Sequence, residues 1–149
     1  MAGTVVGIFT APEEGAATVA VDEVVAVKGR GLQGDRYFDV NQGDHDPGDE
    51  ITLIDADGLR VARTEHGVAL DPGEHRRNVV VEGLDLVELV GQVIQVGEIE
   101  VEVLADNPPC KYLQTLTGKP VLRALQRKGG VRGRIAKGGT IRLGDPIQP

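Results

Sequence analysis

The feature that most limits the fold of this chain is its series of short valine- and isoleucine-rich runs, separated by turns that contain glycine or proline. Apolar runs of this length, bounded by turn residues, are typical of β-strands. The runs cover residues 4–9, 18–27, 51–54, 79–81, 92–96, 99–104, 131–136 and 140–143. We therefore predict a mostly β domain of the α+β class, arranged as a closed barrel or a folded-over mixed sheet.

The clearest single pattern is a hairpin in the second half of the chain. Residues 99–103 read Ile-Glu-Val-Glu-Val, and the two-residue turn Gly97-Glu98 precedes them. Because side chains alternate between the two faces of a strand, the apolar residues share one face and the glutamates share the other. We predict one buried and one solvated face. The same hairpin is a candidate edge for pairing with another chain.

Three segments have the signals of helices. Asp55 is a plausible N-cap for a helix over residues 56–66, and Gly67 is a plausible stop. A second helix is predicted from Lys111 to Thr117. Pro120 suits the first turn of a third, which would run to residue 127.

The only cysteine, Cys110, lies at a step in the charge of the chain. Up to Cys110 there are 7 Lys/Arg and 22 Asp/Glu, whereas residues 111–142 contain 9 Lys/Arg and no acid. Nearby cations favour the thiolate, which is the nucleophile and the metal ligand. The alternative is a buried, inert cysteine. A single cysteine excludes an internal disulfide framework and fits a reducing cytoplasm.

Length and composition restrict the class of protein further. A chain of 149 residues predicts one domain, residues 1–149. The sequence has no apolar run long enough to span a bilayer and no signal-peptide pattern, so we expect a cytoplasmic protein with no membrane partner. A basic segment in a chain of net charge −7 favours a small anionic ligand such as a phosphate. Nucleic acid is disfavoured because only 3% of residues are aromatic.

Basic residues from three segments are expected to converge near Cys110, where a guanidinium could grip a phosphate. Arg76 and Arg77 precede a predicted strand, so they should point to opposite faces and at most one should reach the site. We expect these distant arginines, rather than the neighbour Lys111, to shape the environment of Cys110. The three segments are residues 28–36, 76–77 and 132–142.

The acidic stretch of residues 39–50 contains glycine and proline and is predicted to be a mobile surface loop. Its acidic residues could instead ligate a hard cation, although their spacing is not that of an EF-hand. The candidate ligands are Asp44, His45, Asp46, Asp49 and Glu50.

Six short motifs follow one another in an order that is more specific than any one of them. They are Gly34-Asp35-Arg36, Arg77-Asn78-Val79, Gly83-Leu84-Asp85-Leu86, Asn107-Pro108-Pro109-Cys110, Gly130-Val131-Arg132-Gly133-Arg134 and Gly139-Thr140-Ile141-Arg142-Leu143-Gly144-Asp145. In this order they resemble the motifs of MOSC domains, which are related to the C-terminal part of molybdenum cofactor sulfurases. The resemblance spans residues 4–147.

The resemblance implies a MOSC-like closed β-barrel with a mid-chain helix and short helices after the cysteine. It implies binding of the molybdenum cofactor (molybdopterin), with Cys110 as a sulfur-carrying persulfide or as a molybdenum ligand. Pyridoxal phosphate binding is associated with the family at large. Asp35 is the candidate for proton transfer. The candidate cofactor-binding residues are Arg36, Arg77, Asn78 and Arg132 in motif positions, joined by the cations Lys28, Arg30 and Arg134 of the converging segments.

Three functions remain open. The first is cofactor binding or sulfur transfer, with a sulfur donor such as a cysteine desulfurase, or a molybdoenzyme, as partner. The second is a molybdenum-dependent reductase of N-hydroxylated compounds. Some reductase-like members have Gly-Asp-x-x-x-Asp followed by His-Gly; residues 34–39 begin in this way, but His45 is followed by Asp46, which argues against that role. The third is a non-catalytic module that binds an anionic ligand.

Overall fold

Seven β-strands close into a barrel in the computed structural model, which describes residues 3–38, 46–125 and 128–149. The barrel strands are β1 (Gly3–Thr10), β5 (Ile51–Asp55), β6 (Val79–Glu82), β7 (Val93–Val96), β8 (Ile99–Asp106), β9 (Val131–Lys137) and β11 (Pro146–Gln148). Their order around the barrel is β1-β11-β7-β8-β9-β5-β6, and the β6–β1 pairing closes it. The predicted closed barrel of the α+β class is confirmed.

Four shorter strands complete the β-structure of the described residues. β2 (Val19–Ala20) extends the open side of β1. A separate three-stranded sheet has the order β10-β3-β4. Its strands are β3 (Glu23–Val27), β4 (Gly31–Leu32) and β10 (Gly139–Arg142).

The helices lie mainly after β5 and after Cys110. α1 (Ala56–His66) joins β5 to β6, the one parallel strand pair among the described residues. Gly67 ends it in the left-handed conformation with φ 67°. α2 (Lys111–Thr117) and α3 (Val121–Ala124) follow Cys110, and two 3-10 helices cover Pro47–Asp49 and Leu86–Leu89. No helix in the described parts of the chain has the length and apolarity needed to cross a bilayer.

Two of the three apolar clusters among the described residues hold the barrel and the helices together. The larger fills the barrel with alternate residues of its strands, including Ile94, Ile99 and Val101, which are 0% exposed. Burying each such side chain stabilises the fold by about 1.5–3 kcal/mol. The smaller cluster packs α1 against α2 and α3 through Ala62 and Leu113. The helices therefore cover one side of the barrel, next to the segment that carries Cys110.

Three local predictions differ from the structure. Residues 18–27 form two strands in different sheets, because the chain bends at Val21 and Asp22 between β2 and β3. The β7–β8 hairpin is not a sheet edge, because β7 pairs with β11 and β8 pairs with β9. The predicted mobile loop includes residues 39–45, which lie outside the described residues, and its remainder contains a 3-10 helix.

Candidate functional site

Cys110 opens onto a cavity of about 290 Å³ where one end of the barrel meets α2. The cysteine is exposed and has extended backbone angles, φ −130° and ψ 167°, at the residue before α2. The alternative of a buried cysteine is therefore wrong. Four arginines from three separate segments line the same cavity: Arg36, Arg76, Arg77 and Arg132. Distant arginines therefore converge on Cys110 as predicted. One comes from residues 28–36, two from residues 76–77 and one from residues 132–142.

Arg77 anchors the chain segment that leads into Cys110. Its side chain is 7% exposed, and its Nε donates a hydrogen bond to the Gly129 carbonyl at 2.8 Å. Its Nη2 donates to the carbonyls of Asn107 at 2.8 Å and Pro108 at 3.3 Å. Burial lowers the pKa of Arg77 to about 10, and the nearby Cys110 acts in the opposite direction. Arg77 is therefore a buried cation that both positions the segment and stands beside the thiol.

Two glycines make room for this arrangement. The Asn107 amide donates to the Gly130 carbonyl at 2.7 Å. A Cβ on Gly129 would come within 2.5 Å of the Asn107 carbonyl oxygen. Gly130 has φ 93°, and a Cβ there would lie 2.0 Å from the Leu53 carbonyl oxygen. Since no larger residue fits between these backbones, the glycine pair lies closely between the Cys110 segment on one side and β5 on the other.

Arg76 lies in the same cavity as Arg77, which corrects the prediction that only one of the two could reach the site. Both residues precede β6, and Arg76 has φ 62°, so the alternation of a regular strand does not apply to them. A non-glycine residue in this region is strained by about 1–2 kcal/mol. Nη1 of Arg76 donates to the Ala16 carbonyl at 2.6 Å, while Nη2 is buried without a hydrogen-bond partner among the described residues. Burial, followed by the neighbouring Arg36, lowers the pKa of Arg76.

Arg36 is held by its neighbours in sequence. Its guanidinium lies 4.4 Å from the centre of the Tyr37 ring, in the geometry of a cation–π contact, and its Nη1 is 3.5 Å from Oδ1 of Asp35. Asp35 is 6% exposed, and its Oδ1 accepts from the Ala11 amide at 3.0 Å. Its Oδ2 has no partner in the described part of the chain. Asp35 is not among the cavity-lining residues, so its role in proton transfer stays a prediction.

Arg132 closes the opposite side of the cavity with two acidic partners. Its Nη2 lies 3.0 Å from Asp46 and 3.1 Å from Asp49. Gly48 lies beneath it, where a Cβ would come within 2.4 Å of the Arg132 side chain. Glu50 instead accepts from the Ile135 amide at 2.9 Å.

These contacts bear on the alternative that the acidic stretch binds a cation. Asp44 and His45 lie outside the described residues. In the described ranges no three His, Cys, Asp or Glu side chains are grouped to hold a metal ion.

Asn78 and His75 flank Arg76 and Arg77 in the chain and hold the backbone there in place through hydrogen bonds. Oδ1 of Asn78 accepts from the Thr52 amide at 3.0 Å, and its Nδ2 donates to the Phe9 carbonyl at 3.1 Å. Nδ1 of His75 accepts from the Arg77 amide at 2.9 Å, which makes the histidine a neutral acceptor there. Burial lowers the pKa of His75 to about 4. The predicted contact of Asn78 with a cofactor stays a prediction, since these bonds join β5, β1 and β6.

Three predicted cofactor-binding residues do not meet Cys110, and the expectation that they join it is wrong. Lys28 and Arg134 line a different cavity of about 490 Å³. Arg134 points outward from β9 two residues beyond Arg132 and pairs with Glu102 of β8 at 2.8 Å. Arg30 lies in the exposed turn between β3 and β4. Any cofactor contact of these three stays a prediction.

Other lining residues were not identified from the sequence. Tyr37 and Tyr112 line the cavity, as do the acids Glu14 and Asp49. The adjacent arginines were the one available signal for Arg76. Lys111 is exposed and is not a lining residue. Distant arginines, and not the sequence neighbour, therefore surround Cys110.

Comparison with known proteins agrees with this architecture. Three similar solved structures are the YuaD protein from Bacillus subtilis and the YiiM proteins from Geobacillus stearothermophilus and Escherichia coli. YuaD has a TM-score of 0.80 at 20% identity, over 99% of this chain and 94% of its own. The YiiM proteins have TM-scores of 0.73 and 0.71 at 17% and 18% identity. They are covered over 74% and 69% of their lengths, and cover 98% and 99% of this chain.

Two comparisons of the sequence alone gave different results. No curated protein matches the chain. The model of the MOSC domain matches residues 39–148, which include Arg77, Cys110 and Arg132. Because that match covers most of the chain and the fold agrees with it, this protein belongs to the MOSC domain family.

Proposed function

We propose that this protein binds a phosphate-bearing molybdenum cofactor in the cavity beside Cys110. The MOSC family is generally linked to molybdenum cofactor binding. The observation that carries the proposal is the juxtaposition of an exposed thiol with Arg76 and Arg77. Neither of these arginines has a carboxylate partner among the described residues, and both bond to backbone carbonyls. Two cations that have no carboxylate partner in one cavity favour an anionic ligand.

The side chains present fit such a group. The buried Nη2 of Arg76 is a donor without an acceptor in the described part of the chain. This is expected if a phosphate oxygen accepts its hydrogen bond when the cofactor is bound. Arg36 would share the phosphate, because it is the next cation to Arg76. Cys110 supplies a soft sulfur ligand, which suits molybdenum. With no acidic or histidine cluster among the described residues, the metal would arrive already held by its cofactor.

When bound, the cofactor would supply redox chemistry at its metal, and the protein would orient it. Arg77 would keep Cys110 at the mouth of the cavity through the Asn107 and Pro108 carbonyls. Arg36 and Arg76 would hold the anionic end. Tyr37 would keep the Arg36 guanidinium in place by stacking.

The test is cofactor retention by protein purified from cells that make the molybdenum cofactor. Molybdenum is measured by elemental analysis, and the pterin by its fluorescence after oxidation and release. We expect Arg76→Met to lose both, because the phosphate is released. Cys110→Ser should lose molybdenum more than pterin. The control Arg134→Met removes an arginine from the barrel surface and should retain both. Equal retention by all variants, or no retention by the unmodified protein, would contradict the proposal.

A second function, sulfur transfer, is favoured by the exposure of Cys110. In this reaction the Cys110 thiolate attacks the outer sulfur of a donor persulfide. A sulfur–sulfur bond forms at Cys110, the donor's sulfur–sulfur bond breaks, and the donor leaves as a thiolate. No further oxidant or reductant is required.

Incubation with a persulfide donor such as glutathione persulfide tests this second function. We expect intact-protein mass spectrometry to detect one added sulfur atom on the unmodified protein and none on Cys110→Ala. An equal adduct on both proteins, or none on either, would rule out transfer through Cys110.

A further inference from the structure

A second and larger cavity, of about 750 Å³, lies between α1 and the end of β6. It shares none of its lining residues with the Cys110 cavity. Apolar walls come from Leu59, Leu70 and Leu84, which are half-buried. The cavity therefore combines apolar walls with charged side chains that could orient a small molecule.

Asp55 is the buried polar group of this cavity. It is the last residue of β5 and the N-cap of α1, yet its side chain makes no capping hydrogen bond to that helix. Oδ1 instead accepts a long hydrogen bond, 3.3 Å, from the Leu86 amide. The residue is 2% exposed, and Oδ2 has no hydrogen-bond partner in the described residues. An unsatisfied buried carboxylate oxygen that lines a cavity is best explained by a donor that the protein itself does not supply.

The charges around Asp55 favour a cationic donor. Burial raises the pKa of this carboxyl to about 6, so it is largely ionised above that pH. Asp85 and Asp57 raise the pKa further, while Lys128 opposes them. The remaining charged lining residues are Glu82 on β6 and Arg60 and Arg63 on α1. Arg60 is already paired with Asp57. The other lining acids and cations are equal in number, three of each, so the carboxylate of Asp55 is the excess charge of the cavity.

We propose that this cavity is a binding site for a small organic cation with an apolar body, in which two parallel N–H groups, as in an amidinium, meet the carboxylate of Asp55. A planar pair of N–H donors matches the two oxygens of a carboxylate. The apolar body packs on Leu59, Leu70 and Leu84. The site is independent of the proposed molybdenum cofactor site, because no residue is shared.

Benzamidine is a suitable probe, since it joins an amidinium to an apolar ring. Titration at pH 8, followed by calorimetry and by amide chemical shifts, should give saturable binding with shifts centred on Leu59, Leu70 and Leu84. Asp55→Asn should weaken binding about tenfold or more, because a charge-assisted pair is lost. The matched control Glu65→Gln removes an exposed carboxylate of α1 that does not line the cavity and should change the dissociation constant less than about threefold.

A blocking variant keeps the proposal testable if Asp55→Asn does not fold. Ala69 is exposed and lines the cavity, so Ala69→Trp would add a large side chain there and leave the Asp55 carboxylate in place. We expect it to abolish benzamidine binding. Unchanged binding by Ala69→Trp or by Asp55→Asn would overturn the proposal. The proposal would also be overturned if the amide chemical-shift changes centred on Cys110, or if benzamidine showed no saturable binding.

Discussion

Two buried groups are expected to cancel each other's effect on stability between about pH 4 and pH 6. Burial raises the pKa of Asp55 from 3.8 to about 6, and it lowers the pKa of His75 from 6.5 to about 4. Folded Asp55 keeps a proton that the unfolded chain releases, so its contribution to stability is present at low pH and is lost as the pH rises. Between about pH 4 and 6.5, His75 is neutral in the folded protein but protonated in the unfolded chain. Its contribution to stability is therefore present above pH 6.5 and is lost as the pH falls.

The change in the free energy of unfolding that each group causes depends on the pH range between its pKa in the unfolded chain and its pKa in the folded protein. One bound proton changes the free energy of unfolding by about 1.4 kcal/mol per pH unit, which gives about 3 kcal/mol over two units. Both side chains are 2% exposed, and burial is the main cause of each pKa shift. In Asp55→Asn the free energy of unfolding, relative to the unmodified protein, should rise by about 1.4 kcal/mol per pH unit between pH 4 and 6. In His75→Asn the same difference should fall at the same rate.

Urea denaturation at half-unit steps of pH measures these slopes. Each substitution also changes the free energy of unfolding by an amount that does not depend on pH. This amount does not affect the slope of the difference between the variant and the unmodified protein. Asn retains an acceptor for the Leu86 amide in one variant and for the Arg77 amide in the other. The control Asp57→Asn changes an exposed carboxyl whose pKa is lowered by Arg60 and which is the weakest of the influences on the pKa of Asp55, so its difference should stay close to flat above about pH 5. Slopes of the same sign, or no slope in either variant, would refute the reasoning.

Two further predictions concern the segment that carries Cys110. Arg77→Met should lower the free energy of unfolding by about 3 kcal/mol, because the Gly129 and Asn107 carbonyls lose a buried charged donor, whereas the exposed Arg134→Met should cost less than about 1 kcal/mol; equal losses in urea denaturation would contradict the anchoring role. Gly130→Ala should cost more than about 3 kcal/mol, because its Cβ would meet the Leu53 carbonyl, whereas Gly118→Ala, with φ 66° and open space, should cost about 1–2 kcal/mol. Equal melting temperatures for the two alanine variants would show that close backbone approach is not the reason for Gly130.

Much of the fold was predictable because it depends on local pattern. The observed bounds of α1 and α2 agree with the prediction, since a stop glycine follows each helix. The β7–β8 hairpin agrees because the alternation of residues 99–103 is strict. The short strands β4 and β11 were not predicted. Two or three residues carry too little periodicity to mark a strand, and these strands form because the barrel supplies partners for them.

The candidate site was predictable in composition but not in arrangement. The charge step and the motifs identified Cys110, Arg36, Arg77 and Arg132, which all line one cavity. They could not indicate that Arg76 joins them, because that depends on a positive φ just before β6. Nor could they exclude Lys28 and Arg134, since both have the same residue types and similar spacing as the residues that do converge.

By itself, the sequence determined the class of fold, the family and the candidate thiol, because hydrophobic period, turn residues and ordered motifs are properties of neighbouring residues. Only the tertiary structure decided what surrounds that thiol. Barrel closure brings residues 77, 107 and 129 together across long separations in the chain, and Arg77 donates two hydrogen bonds to the segment before Cys110 and a third to Gly129. The buried carboxylate of Asp55 is a second case: the sequence predicts a helix cap, but packing turns the side chain into a cavity, where burial changes its chemistry.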